Sequence, residues 1–306
     1  MAGEVLSAPV GSRPDSRGSV DSLAEIVRND NLAHTYFRLT FTMRRAAVPI
    51  PGQFYQIRCS SSIDPLFRRP FSAHRVVRGR GSLSVEILYR VVGRGTEWLS
   101  RRKRGEPLDV LGPFGNGFLI DKSQDAIVLV ARGTGIASVY AVGAEVRRKW
   151  AKREIFILLG ARMEERVFYE AECRKLGTVF VYTDDGSKGF RGRAPDLLAH
   201  LAREKRIPER FSVYACGPAR MLQDLAALSR DLEFHGQAAL EERLGCGFGA
   251  CLVCACPLKP DAIVRNQQWE KPALHWSDDG TQVYSLVCKD GPIYDLNEVD
   301  WDEWTA

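Results

Sequence analysis

Four of the chain's eight cysteines fall within Leu244-Gly-Cys-Gly-Phe-Gly-Ala-Cys-Leu-Val-Cys-Ala-Cys256. Thiolates are soft metal ligands, and Cys246, Cys251 and Cys254 follow the C-x4-C-x2-C spacing that holds three corners of a [2Fe–2S] cluster. A fourth thiolate has to come from farther along, and Cys288 is the only cysteine after Cys256. Four sulfurs converging on two irons need a tightly wrapped chain, which Gly247, Gly249 and Ala250 permit. These small residues also let backbone N–H groups approach the sulfurs, where such bonds tune the potential. Two other readings compete. A disulfide framework suits a small secreted protein, whereas this chain is long and shows no signal-peptide pattern. A structural zinc site is the serious rival, yet it usually shows two C-x2-C knuckles and only one is present. Cys256 is left over, as a buried thiol or as a ligand in a shifted register.

The rest of the chain has to position this group. Its 306 residues suffice for two or three domains, and 45% apolar with 26% charged content is ordinary for a globular protein. The net charge of +5 is mild and scattered, without the aromatic-basic interleaving of a nucleic-acid binder. No apolar run reaches the length of a membrane span. A cytoplasmic, reducing location follows as the expectation, and it keeps thiols free for metal. Residues 1–21, rich in Gly, Ser, Pro and Arg, read as a disordered tail.

From Ser22 to about residue 120 the chain reads as β-rich. Ala24–Arg28, Thr35–Phe41, Gln53–Arg58 and Leu83–Arg90 alternate or are β-branched and aromatic, as in a small antiparallel barrel. Within it, Arg68-Arg-Pro-Phe-Ser-Ala73 is either a solvated turn or a site where Arg69 and Ser72 hold a phosphate beside a flat ring. Thr96 is a candidate helix N-cap after the Gly93–Gly95 turn, which makes an anion site. Leu111–Phe118 reads as a turn-rich exit.

After Asp125 the pattern becomes α/β. Ala126–Ala131 is a continuous apolar run, followed by the Gly133-Thr-Gly135 turn and a helix to about Ala151. Strands at Glu154–Leu159, Thr178–Thr183 and Ser212–Ala215 alternate with helices near Glu164–Lys175, Pro195–Arg203 and Ala219–Leu228. A ligand would sit at the C-terminal strand ends, by Gly133–Gly135 and Cys216-Gly-Pro218. The turn lacks a full G-x-G-x-x-G, so alone it is weak evidence for a dinucleotide. Val283–Val287 reads as a strand returning Cys288 to the cluster, and the stretch between Cys254 and Cys288 holds Trp269 and Trp276.

Taken together, Arg69-Pro-Phe-Ser72, Leu88-Tyr-Arg90, Gly95-Thr96, the Gly133 turn, Cys216-Gly-Pro218, Glu241–Cys251 and Val287-Cys-Lys-Asp-Gly-Pro292 resemble the electron-transfer subunits of dihydroorotate dehydrogenase B, within the ferredoxin-NADP reductase superfamily. The resemblance implies an antiparallel FAD-binding β-barrel over 22–120, a doubly wound parallel-sheet NAD-binding domain over 121–236 and a small C-terminal [2Fe–2S] domain over 237–306. It implies FAD on Arg69, Pro70, Phe71, Ser72, Leu88, Tyr89, Arg90, Gly95 and Thr96. It implies NAD(H) at Gly133, Thr134, Gly135, Cys216, Gly217 and Pro218, and the cluster on Cys246, Cys251, Cys254 and Cys288. The implied partner is an FMN-containing dihydroorotate dehydrogenase catalytic subunit, in a heterodimer or heterotetramer serving pyrimidine biosynthesis. No acid, base or nucleophile is assigned to this chain, since the cofactors supply the chemistry. Three features depart from the family pattern: the long segment between the third and fourth cysteines, Arg132 in place of glycine and Ser138 in place of proline. They keep open a diaphorase subunit of another NAD(P)H-dependent complex, of ferredoxin oxidoreductase or hydrogenase type. A zinc-stabilised binding module is the distant alternative.

Overall fold

The computed structural model describes residues 22–44, 46–260 and 274–304; the expected tail over 1–21 and Trp269 lie outside them. Seven strands form the first sheet: β1 (Ser22–Ala33), β2 (Tyr36–Arg44), β3 (Phe54–Ile57), β4 (Arg69–Ser72), β5 (Arg75–Arg78), β6 (Ser82–Arg90) and β7 (Pro107–Phe114). They run antiparallel in the order β4-β3-β7-β1-β2-β6-β5. Strands β4 and β5 are two halves of one bent segment, one pairing with β3 and the other with β6. At the bend, the Ala73 N–H donates to Gln53 O and the His74 N–H to Glu86 O, each at 2.9 Å. The two edges therefore meet and the sheet closes into a barrel. Alternation drives this: Leu39 and Phe41 of β2, Tyr55 and Ile57 of β3, and Val85 and Ile87 of β6 point into a fully buried core.

Leu111–Phe114, expected to belong to a turn, instead continues β7. Gly112 makes this possible. It takes φ +132° at a register shift opposite Phe54–Gln56, and a Cβ there would lie 2.9 Å from the Tyr55 ring.

The second sheet contains β8 (Ala126–Arg132), β9 (Glu154–Ala161), β10 (Thr178–Thr183), β11 (Phe190–Arg191), β12 (Phe211–Cys216), β13 (His235–Ala239) and β17 (Ile293–Asp295). Its order is β11-β10-β9-β8-β12-β13-β17, parallel throughout except for β17. Helices cover both faces. Ile136, Val139 and Val142 of α2 (Ile136–Lys149) pack on the face of Ile127 and Leu129. Leu198 and Leu201 of α4 (Ala194–Arg203) and Leu222 and Leu225 of α5 (Ala219–Asp231) pack on the face of Val128 and Val130. Strands buried on both sides explain the unbroken apolar run of β8.

The helix expected over Glu164–Lys175 is broken into a single turn at Glu164–Arg166 and the short α3 (Glu170–Arg174). Tertiary packing prevails over the local pattern there. Phe168 stacks on Tyr36 with ring centroids 4.2 Å apart, and Tyr169, at φ +69°, reaches the His74 ring and donates to Glu86 Oε1.

A third, antiparallel sheet has the order β14-β16-β15, from β14 (Ala255–Leu258), β15 (His275–Trp276) and β16 (Val283–Leu286). The expected boundary between 236 and 237 falls inside β13, and β17 returns the C-terminal segment to the second sheet. Asn116 ties the barrel exit to that return: its Nδ2 donates to Asp290 O and Ile293 O, and its Oδ1 accepts from the Ile293 N–H. Among the described residues no helix is long and apolar enough to cross a membrane.

Candidate cofactor-binding site

A cleft of about 340 Å³ opens where the barrel, the second sheet and the cysteine segment meet. One wall is built by Arg69, Pro70, Phe71 and Ser72 of β4 and by Leu88, Tyr89 and Arg90 of β6, with Thr96 at one end. The basic pair splits its work. Arg68 is held by Asp109, Nη2 to Oδ2 at 2.7 Å, while Arg69 lines the cleft. Gly95 lies behind Arg69, and a Cβ there would stand 3.1 Å from Arg69 Nε. The Arg69-Pro-Phe-Ser72 stretch is thus a strand and not a solvated turn.

Thr96 is not the N-cap of its helix. That helix, α1 (Arg94–Ser100), is capped at Gly93, and Thr96 sits three residues in. Its Oγ1 accepts from the N–H groups of Val92 and Gly93 and donates to Gly93 O. The hydroxyl shapes the turn, and the cations that line the cleft on this side are Arg69 and Arg90.

Opposite, Gly133–Gly135 forms a single tight turn between β8 and α2, with Gly133 at φ +57°. Thr134 and Cys216 face the cleft, whereas Gly133, Gly135, Gly217 and Pro218 lie behind them and shape the backbone. Gly135 is required by proximity, since a Cβ would lie 2.2 Å from the Cys216 carbonyl oxygen. Arg132 makes a two-pronged, partly exposed ion pair with Asp184, at 2.6 and 2.5 Å, across the C-terminal edge of the sheet.

Three segments converge at the cleft's centre. Ser72 Oγ from the barrel lies 2.8 Å from Ser138 Oγ at the start of α2, and Cys216 Sγ lies 3.9 Å from Glu241 Oε1. Burial pushes the Cys216 thiol well up, and the nearby Glu241 carboxylate adds to this. Glu241 is solvent-exposed and opens onto the cleft, where the desolvation its carboxyl undergoes raises it against the opposing pull of Arg90 and of the Cys216 contact.

The cysteine loop adjoins the same cleft, because Leu244 and Val287 line it. The β14–β16 pairing sets Cys254 beside Cys288: the Val287 N–H donates to Cys254 O at 3.0 Å, and the Cys288 N–H points at Cys254 Sγ at 3.5 Å. In the loop, the Ala250 N–H donates to Cys246 Sγ at 3.2 Å and the Cys246 N–H to Cys251 Sγ at 3.4 Å. Partial burial opposes ionisation of Cys246, yet the N–H groups of Phe248, Cys251 and Ala250 bring its thiol down to about 6. Cys254 is drawn down to about 7 chiefly by the Cys288 thiol, which is itself pushed up. The four sulfurs thus form two pairs, Cys246 with Cys251 and Cys254 with Cys288, and among the described residues no three metal-ligating side chains gather round one point. Two pairs of thiolates would suit the two irons of a [2Fe–2S] cluster.

Residues 129–227 match the family model of the oxidoreductase NAD-binding domain. Over 84% of its length the chain is 32% identical to the dihydroorotate dehydrogenase B (NAD(+)) electron transfer subunit of Desulforamulus reducens, covering 89% of that protein. Over 81% it is 35% identical to the protein of the same name from Bacillus cereus strain Q1, covering 86% of it. The chain belongs to this family of electron transfer subunits. Among solved structures it is similar to the NADH-dependent reduced ferredoxin-NADP oxidoreductase, with TM-score 0.69, 27% identity and coverage of 92% and 91% of the two chains. It also shares its fold with the ferredoxin reductase in carbazole 1,9a-dioxygenase, with TM-score 0.58 and 21% identity over 70% of this chain and 65% of that one. The barrel followed by a doubly wound sheet is thus the ferredoxin-reductase arrangement.

In this electron transfer subunit Ser138 and Glu241 also line the cleft, and neither has a local sequence signal for that place. Glu241 reaches it because β13 ends at the cleft. Ser138 was visible as a departure from proline; its hydroxyl contact with Ser72 spans 66 residues and leaves no local trace.

Proposed function

We propose that this chain is the electron-transfer subunit of an NAD-dependent dihydroorotate dehydrogenase. In this reading FAD lies along Arg69–Ser72 and Leu88–Arg90, and a nicotinamide nucleotide at Thr134 and Cys216. A [2Fe–2S] cluster is held by Cys246, Cys251, Cys254 and Cys288, and the catalytic partner carries FMN. The observation that supports it most is the single cleft, which all three segments line. When bound, the cofactors supply hydride exchange at the nicotinamide, single-electron exchange at the cluster and conversion between the two at the flavin. The chain's own task is placement. Arg69 offers a cation to the pyrophosphate, Pro70 and Tyr89 offer flat apolar surface, and the Ser72–Ser138 contact fixes the gap between barrel and α2.

In this reading the partner docks on the cysteine loop. Cys251 is exposed and is flanked by the exposed side chains of Phe248, Leu252 and Val253, an apolar rim around the cluster loop.

The anaerobically purified chain is expected to be brown-red, with flavin bands and two irons per chain. Reconstituted with its FMN partner, it should reduce NAD+ with dihydroorotate. A colourless protein holding one zinc would overturn the reading. The likeness to the NADH-dependent ferredoxin-NADP oxidoreductase favours one second reading, a diaphorase for another donor. Reduction of NAD+ by other donors but never by dihydroorotate would select it.

Glu241 gives a further test. Because its carboxyl closes the cleft beside Cys216, Glu241→Gln should slow NADH-to-dye turnover by roughly 10-fold to 100-fold while the flavin stays bound. Stopped-flow flavin reduction by NADH checks this, and an unchanged rate would remove Glu241 from the site.

A further inference from the structure

Gln56 has no assigned part in any of this, yet its surroundings are unusual. It lies on β3, whose Tyr55 and Ile57 side chains fill the barrel core. The alternate positions face outward: Phe54 packs in the cluster that includes Cys254, Val287 and Cys288, and Gln56 is turned the same way. Gln56 is 0% exposed. Neither Nε2 nor Oε1 has a hydrogen-bond partner among the described residues. A primary amide has two donors and a carbonyl acceptor, and burying all of them unused is costly. A side chain in this state points to a ligand.

Its neighbour says which one. Gly247 follows Cys246 directly and has φ +83°; a Cβ there would lie 2.2 Å from Gln56 Nε2 and 2.8 Å from Cδ. Glycine is therefore the residue that lets the cysteine loop close over this amide. On the other side, Gln56 is paired across the sheet with Pro70, which lines the cleft. The amide thus stands in the wall between the cleft and the cysteine loop.

We infer that Gln56 is a positioning residue that hydrogen-bonds from the barrel to the iron–sulfur group on the Cys246 loop and raises its reduction potential. The inference rests on the reading of the cysteines as cluster ligands. The physical reason is charge: one electron entering the cluster adds one negative charge, and an N–H dipole aimed at it favours the reduced form. The loop's own N–H groups act on the sulfurs from one side, and Gln56 acts from the side of the flavin-bearing barrel.

The test is a redox titration of the holoprotein followed by electron paramagnetic resonance, on wild type, Gln56→Met and Gln56→Glu. Methionine keeps the length and removes the donor. Glutamate keeps the shape and replaces the donor with an acceptor. Gln56→Met should lower the reduced-to-oxidised ratio of the cluster at fixed potential by about tenfold, a shift of about 59 mV for a one-electron couple. Gln56→Glu should lower it at least as far, with flavin absorbance unchanged in both. If Gln56→Met does not load, Gln56→Glu decides alone. Variants with the wild-type ratio and spectrum overturn the inference, even if their melting temperature falls. A wild-type protein with no iron–sulfur signal overturns the functional reading, and this inference with it.

Discussion

Replacing Cys288 with serine is expected to cost the protein its iron while leaving it a working flavoprotein. Cys288 is buried against Cys254, and both flank the paired strands β14 and β16, outside the set of side chains that line the cleft. A hydroxyl is a harder and weaker ligand than a thiolate, so the second sulfur pair would no longer hold its iron. Iron content and the cluster's visible absorbance should fall, and transfer to the partner should drop by at least about 100-fold. NADH-to-dye turnover should stay within about twofold, because it uses the cleft alone. Cys256→Ser is the control: Cys256 sits next to Pro257 O at 3.6 Å and belongs to neither pair. A bleached Cys256→Ser protein with an intact Cys288→Ser cluster would reverse the ligand assignment.

The second large effect comes from a single methyl group. Gly135→Ala would place carbon 2.2 Å from the carbonyl oxygen of Cys216 and 2.7 Å from its carbonyl carbon. These are backbone atoms of β12, which is paired residue by residue with β8 and β13 and cannot retreat. Overpacking usually costs about 1–3 kcal/mol, and a rigid backbone neighbour puts this case at or above the upper end. A melting temperature lower by about 6–12 °C follows, taking about 2–4 °C per kcal/mol. The Michaelis constant for NADH should rise at least about tenfold, since the turn lines the nucleotide edge. Gly93→Ala is the matching control, because Gly93 has extended backbone and nothing within 4 Å of an added Cβ. Equal melting temperatures for the two variants would refute the steric account.

What could be read from the chain alone follows from where the constraint is local. Spacing alone marks Cys246, Cys251 and Cys254 as a set, and a strand buried on both faces announces itself in Ala126–Ala131. Strand β13 was not legible. His235-Gly-Gln-Ala-Ala239 has no β-branched residue, and it is small because Leu296 packs where a Gly236 side chain would be. The helix over Glu164–Lys175 had the right pattern and the wrong surroundings, since Phe168 and Tyr169 are taken by Tyr36, His74 and Glu86. Ser138, Glu241 and Gln56 belong to the same class. Each gains its place only from a contact far away in sequence.

The pairing of β13 with β17 couples the two ends of the cysteine segment. That whole segment is a detour between two adjacent strands, joined at Gln237–Asp295, Ala238–Tyr294 and Ala239–Ile293. Its entry and its exit are therefore anchored on neighbouring strands of one sheet, and a one-residue slip of β17 against β13 would displace Cys288 relative to the loop that carries Cys246 and Cys251.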